Sequence, residues 1–135
     1  MRQRPELTLE DAKAILAAAE QCAAEHRLPV CIAICDDSGA LLLLARRDGA
    51  RAQTARLAAD KARCAATSHR PTAFWGSRLK ENPQFAAFPD MCALAGGVPI
   101  FSDEHCVGGI GISGAKGPGE DELVANAGIA ALNTL

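Results

Sequence analysis

Apolar positions between Leu9 and Ala23 recur at helical spacing (Leu9, Ala12, Leu16, Ala19, Ala23), and Thr8 followed three residues later by Asp11 forms a capping-box signature. A first helix is predicted, ending near His26 before Pro29. From Pro29 to Ala50 the pattern becomes two nearly continuous apolar runs around Asp36, Asp37, Ser38 and Gly39, a turn composition that predicts a β-hairpin. Continuous runs, as opposed to alternating ones, predict strands covered on both faces. Arg51 to Thr67 is alanine-rich without Gly or Pro, which favours a long helix. Thr72 is placed to cap a short third helix that stops before Pro83.

The next segment, "NPQFAAFPDMC", has two prolines and no period, and reads as a loop or lid. A second pair of apolar runs, "ALAGGVPIF" and "CVGGIGIS", flanks polar Ser102 to His105 and predicts a second hairpin. The last segment opens with Glu120, Asp121 and Glu122, suited to a helix N-terminus, and places Leu123, Ala127, Ala130 and Ala131 on one face. The order is αββααββα. Hairpins flanked by helices, without strand–helix–strand alternation, predict an α+β fold with a mainly antiparallel sheet.

Gly109, Gly111 and Gly114 fall at the spacing G-x-G-x-x-G. A dinucleotide loop needs these glycines early in a βαβ unit, with an acid about 20 residues on at the end of the next strand. Here only a helix is predicted to follow, so the match reads as coincidence. The alternative is steric: Gly108, Gly109 and Gly111 let a helix or another subunit approach a strand, while Gly114 and Gly117 supply positive φ in a turn. Amides of Ser113, Gly114 and the last helix's start could attract an anion, but the three acids already occupy that positive end.

Charge and composition narrow the classes. The chain has 135 residues, one domain's length, with 49% apolar and 22% charged residues. A net charge of −2 with no basic stripe gives nucleic acid no electrostatic footing. No apolar segment has the length of a membrane span and the N-terminus lacks a signal-like apolar stretch, so a soluble, cytoplasmic protein is expected. The six cysteines form no C-x-x-C pair and sit in apolar contexts such as "VCIAIC", where Cys acts as a small hydrophobe.

Taken together, "LTLEDAKAILAAAE", "LPVCIAICDDSGALLLLARRDGA", "ADKARCAATSHRPT", "GGVPI" and "VGGIGISG" followed by "EDE" resemble, in order and spacing, the GlcG/HbpS-like haem-binding family, which includes the C-terminal domain of PduO proteins. The resemblance implies a profilin-like fold, a sheet of about five antiparallel strands between helices, and a homo-oligomer. It implies haem as a candidate cofactor, or a small-molecule ligand without one, since the family includes accessory proteins of catabolic operons. Where relatives carry a glycine-rich "QPG…YG" segment after the third helix, this chain has "KENPQFAAFPDMC" and no Tyr at all.

Lys61 matches a lysine of the family and lies among small apolar residues, where it reads as a base, an anion anchor or an ion-pair partner of Asp48 or Asp121. Asp48, in "RRDGA", reads as a helix cap or a general base. Iron takes imidazole, thiolate or phenolate. Of His26, His69 and His105, His69 in "SHRPT" is the candidate metal ligand. Phe74, Trp75, Phe85 and Phe88 cluster around the divergent segment, and Phe74, Trp75 and Phe88 are candidate walls for a planar ligand. Gly97 in "GGVPI" and Ser113 in "GISG" complete the ligand-binding candidates. Cys64 becomes a reactive thiol if Lys61 faces it, and a buried structural thiol otherwise. Two functions follow: a haem or planar-ligand binder, or a cofactor-free lyase, isomerase or hydrolase using Lys61 and Asp48 on a small aromatic or carboxylate intermediate.

Overall fold

A computed structural model of the chain describes residues 1–117 and 119–133. The elements run α1 (Leu9–Glu25), β1 (Cys31–Asp36), β2 (Leu41–Arg46), α2 (Gln53–Ser68), α3 (Thr72–Glu81), a 3-10 turn (Pro83–Ala87), β3 (Gly97–Ser102), β4 (His105–Ser113) and α4 (Glu120–Leu132). The four strands pair antiparallel in the order β2-β1-β4-β3. This is the α+β order predicted, with four strands among the described residues where the resemblance implied about five. Positions 134 and 135, the end of the predicted last helix, lie outside the described residues.

Strand β1 explains why its apolar run is unbroken. Ile32 and Ile34 point to one face, where Ile15 of α1, Val124 of α4, Ile110 and Ile112 join them; Cys31, Ala33 and Cys35 point to the other, against Ala58, Ala62 and Ala66 of α2. Large residues thus face two helices and small residues face one, and both sets are buried. Edge strand β2 departs from the prediction: Leu41 is 50% and Leu44 37% exposed, so only one of the two strands in this hairpin is covered on both faces.

Helix α2 seats at backbone distance on β4. A Cβ on Gly109 would collide with the Ala62 carbonyl, and one on Gly111 with the Ala58 carbonyl and, at 2.6 Å, with the Ala62 nitrogen. The glycines therefore serve helix-on-strand packing, the steric alternative to a dinucleotide loop. Gly114 has φ 119°, as the turn reading requires, but the second positive φ in that turn belongs to Gly119 (76°), not Gly117.

The Thr8–Asp11 capping box is present in both directions, at 2.9 and 3.1 Å. Three local expectations shift. On α1 the exposed Leu9 at the first position gives its place to Ile15, and on α4 the buried face is Val124, Ala125 and Gly128, because α4 beyond its acidic first turn is apolar almost all round and the pattern fixes its phase poorly. Thr72 does not cap α3. It is buried, and its hydroxyl accepts the Gly97 N–H at 2.8 Å across the fold.

Candidate functional site

Helix α2 carries the candidate chemistry along its length, and Lys61 fixes it in place. The Lys61 Nζ donates to the Ile112 carbonyl at 2.8 Å and to Asp121 Oδ2 at 3.2 Å, with its side chain 4% exposed and that of Asp121 16%. Asp121 Oδ1 accepts the Ala115 N–H at 3.1 Å. One ammonium thus joins α2, the end of β4 and the start of α4. Of the two carboxylates the sequence offered as partners, Asp121 is the one engaged. Asp48 lies on the exposed turn before α2, with no hydrogen bond or ion pair among the described residues. Gly97 is a structural neighbour of this bolt: a Cβ there would meet the Lys61 carbonyl and Thr72 Cγ2.

At the C-terminal half of α2 an apolar cleft of about 340 Å³ is lined by Cys64, Thr67, Ser68, Trp75, Phe88, Pro89, Asp90 and Met91. Trp75 forms its back wall, with edge-on contacts to Phe74 at 5.1 Å, Phe85 at 5.9 Å and Phe88 at 5.9 Å. The indole is oriented by a relay: Trp75 Nε1 donates to Ser68 Oγ at 2.9 Å, and that hydroxyl donates to the Cys64 carbonyl at 2.6 Å. Phe74 stands behind Trp75, beneath the Arg70 guanidinium at 4.9 Å and beside Arg78 at 5.5 Å, so it braces the wall without lining the cleft. A second hollow of about 330 Å³ adds Asp60 and Arg63 and shares Phe88, Asp90 and Met91 with the first. The Phe88 ring between them is 47% exposed.

His69 does not line this cleft. It ends α2 in a left-handed conformation (φ 60°) and packs its ring edge-on against Phe101 at 6.4 Å, toward β3. The iron-ligating groups that do line it are sulfur, from Cys64 and Met91. Burial pushes the Cys64 thiol up from 9.0, outweighing a hydrogen bond from the Cys92 N–H that acts downward, so Cys64 is a buried protonated thiol and not an activated one. Burial likewise holds the Cys35 thiol up, to about 12. Among the described residues no three His, Cys, Asp or Glu side chains are grouped to hold a bare metal ion.

At the opposite end of α2 lies a polar cleft of about 460 Å³, lined by Pro29, Gly49, Arg51, Gln53, Thr54, Ser113, Gly114, Ala115 and Lys116. Ser113 is the sequence candidate that falls here, buried at 3% exposure. The eight candidates therefore do not form one site: Trp75 and Phe88 line one cleft, Ser113 another, and Lys61 and Gly97 lie between.

A sequence profile of the family described as "Haem degrading protein HbpS-like" matches residues 7–130. The chain belongs to the HbpS-like family. It is 35% identical to Protein GlcG of Escherichia coli K12 over 114 residues, covering 84% of this chain and 85% of that protein. Among solved structures, a double mutant of HbpS from Streptomyces reticuli superposes with a TM-score of 0.91 at 36% identity, covering 98% of this chain and 90% of that one. The crystal structure of a PduOC:Heme complex superposes with a TM-score of 0.86 at 25% identity, covering 96% of each chain. Among the described residues, no helix of this HbpS-like chain is long and apolar enough to cross a membrane.

Sequence reasoning passed over Met91 and, as cleft-lining groups, Arg51, Thr54 and Lys116. Met91 sits in an aperiodic segment, and the polar cleft is assembled from three segments distant in sequence, so neither left a local signal.

Proposed function

We propose that this HbpS-like chain binds haem, or a planar aromatic ligand of similar shape, in the apolar cleft between α2 and the Phe85–Met91 segment. The observation that carries the reading is the pairing of an oriented Trp75 with an exposed Phe88 around a cleft that Met91 also lines. Haem iron accepts Met, Cys or His ligands, and aromatic walls favour a flat ring. The family description and the haem complex of a structural neighbour support the same reading.

The residues present fit the group in kind. Trp75 and Phe88 would hold the ring, and Met91 would face the metal, which supplies the redox and ligand-exchange chemistry when bound. A volume of about 340 Å³ stands at the low end of small-molecule pockets, which run from about 300 to 1,000 Å³. A porphyrin here would extend across the adjoining hollow or against a second copy of the chain. Homo-oligomerisation, a cytoplasmic location and an accessory role in a catabolic pathway belong to this reading. The acid–base alternative has no observation in its favour, because Lys61 is turned to Ile112 and Asp121 while Asp48 lies on an exposed turn.

Titration with hemin tests it, with Trp75, the chain's one tryptophan, as an internal reporter. The expected result is a saturable, stoichiometric Soret shift with quenching of Trp75, lost in Phe88→Ser and kept in His69→Ala. A response no different from that of albumin, or one unchanged in Phe88→Ser, would overturn the proposal.

A further inference from the structure

The polar cleft at the start of α2 is built differently from the aromatic one, and the haem reading makes no use of it. Ser113 ends β4 with 3% exposure, and its hydroxyl makes no hydrogen bond among the described residues. No fully buried side-chain oxygen or nitrogen among those residues lacks a partner, so the Ser113 oxygen retains access to the cleft it lines. A nearly buried hydroxyl facing open volume is a donor held for something that enters.

Charge says what would enter. The cleft is lined by two cations, Arg51 and Lys116, and by no acidic side chain. It opens on the N-terminal end of α2, where the flanking residue Ala52 provides no side-chain cap and Thr54 Oγ1 donates instead to the Arg51 carbonyl at 2.6 Å. The Thr54 and Ala55 N–H groups turn back to the Arg51 and Ala52 carbonyls at 3.0 and 3.3 Å, so what the helix start offers the cleft is the positive end of its dipole and no side-chain cap. Two of the three acids of the neighbouring segment are committed elsewhere, Asp121 to Lys61 and the Ala115 N–H and Glu120 to the Gly117 N–H, and the third, Glu122, is not among the residues lining the cleft. Asp48 stands on the exposed turn beside Gly49. The sequence placed an anion at the start of α4 and found acids in the way; the open cleft lies instead at the start of α2.

We propose that this cleft is a binding site for a small oxyanion, the carboxylate or phosphoryl end of a metabolite, with Ser113 donating to the oxygen and Arg51 and Lys116 flanking it. About 460 Å³ exceeds what an isolated carboxylate fills, so the oxyanion is one end of a larger polar molecule.

The test is a titration of the full chain with inorganic phosphate and, separately, with oxalate, at constant ionic strength against sodium chloride, read by amide chemical shifts. Saturable shifts at Ser113, Gly114 and the first turn of α2 are expected, about tenfold weaker in affinity in Ser113→Ala and abolished in Arg51→Glu. A stronger response to phosphate assigns a phosphoryl ligand and a stronger response to oxalate a carboxylate. Thermal melts of both variants confirm that the fold is kept, and Lys116→Ala provides an exposed second variant should Arg51→Glu fail to fold. Shifts that chloride reproduces, or that survive in Ser113→Ala and the cation variants, would overturn the proposal.

Discussion

Replacing Lys61 with Met removes one charge from the least exposed ion pair in the fold, and its cost can be worked from the contacts. The substitution keeps the length of the side chain but deletes the 2.8 Å hydrogen bond to Ile112 and the 3.2 Å contact with Asp121. Breaking a fully buried pair from one side costs about 3–5 kcal/mol, because the partner charge is left uncompensated. Asp121 keeps the Ala115 N–H and a side chain 16% exposed, so water relieves part of that cost and about 2–3 kcal/mol is expected. With a urea slope of about 1–3 kcal/mol per molar, the unfolding midpoint should fall by roughly 1–2 M. Asp121→Asn should cost as much or more, since Lys61 is the deeper of the two. The double variant should be less destabilised than the sum of the singles by about 1 kcal/mol or more, the sign that the two charges act on each other. Urea unfolding followed by Trp75 fluorescence measures all three. A Lys61→Met protein within about 0.5 kcal/mol of the parent, or strict additivity in the double variant, would refute the bolt.

Gly111→Ala should destabilise by about 3 kcal/mol or abolish folding, because the new methyl meets two backbone atoms of α2 that no rotamer change can move; a thermal melt decides, and a Tm unchanged from the parent counts against the packing. For Asp36, burial acts to raise the carboxyl but hydrogen bonds from the Ser38 hydroxyl and the Ala40 and Ser38 N–H groups outweigh it, leaving the folded value below 3.8. A depressed folded value means the stabilisation is present above about pH 3.8 and fades as pH falls through the folded value, so Asp36→Asn should flatten the acid side of the stability profile in denaturant titrations from pH 5 downward. Alkylation with iodoacetamide, mapped by mass spectrometry, should label the partly buried Cys92 and Cys106 first, and slowly, since burial raises both thiols; Cys31, Cys35 and Cys64 should react only on unfolding.

Elements specified by near neighbours were legible in the sequence. Thr8 and Asp11 are three residues apart and satisfy each other's backbone, and the Asp36–Gly39 turn is closed by bonds within five residues. What failed depends on distance along the chain. Thr72 looks like a cap because its local setting suits one, yet its hydroxyl is taken by Gly97, a partner 25 positions on. The Lys61 partner is 60 positions away, which is why the sequence left it between two carboxylates. For the site, aromatic clustering around an aperiodic segment located Trp75 and Phe88, since rings that close in sequence meet easily. His69 reads as an iron ligand because it is a loop imidazole; its ring stands against Phe101, a partner 32 positions on that the local sequence does not announce. The polar cleft had no local signature, because Pro29, Arg51, Ser113 and Lys116 meet only once the sheet is assembled.

The backbone-distance seating of α2 on Gly109 and Gly111 has a thermodynamic corollary. Thr54 in one cleft and Cys64 in the other are ten residues apart on that helix, about 15 Å at its usual rise. A helix pressed against strand backbone has no second resting position to slide into, so the spacing between the clefts is a constant of the fold. Under the two proposals above, occupancy of one cleft is expected to carry no message along α2 to the other. An aromatic ring and an oxyanion would bind this chain with a coupling free energy near zero, as two independent sites sharing one rigid beam.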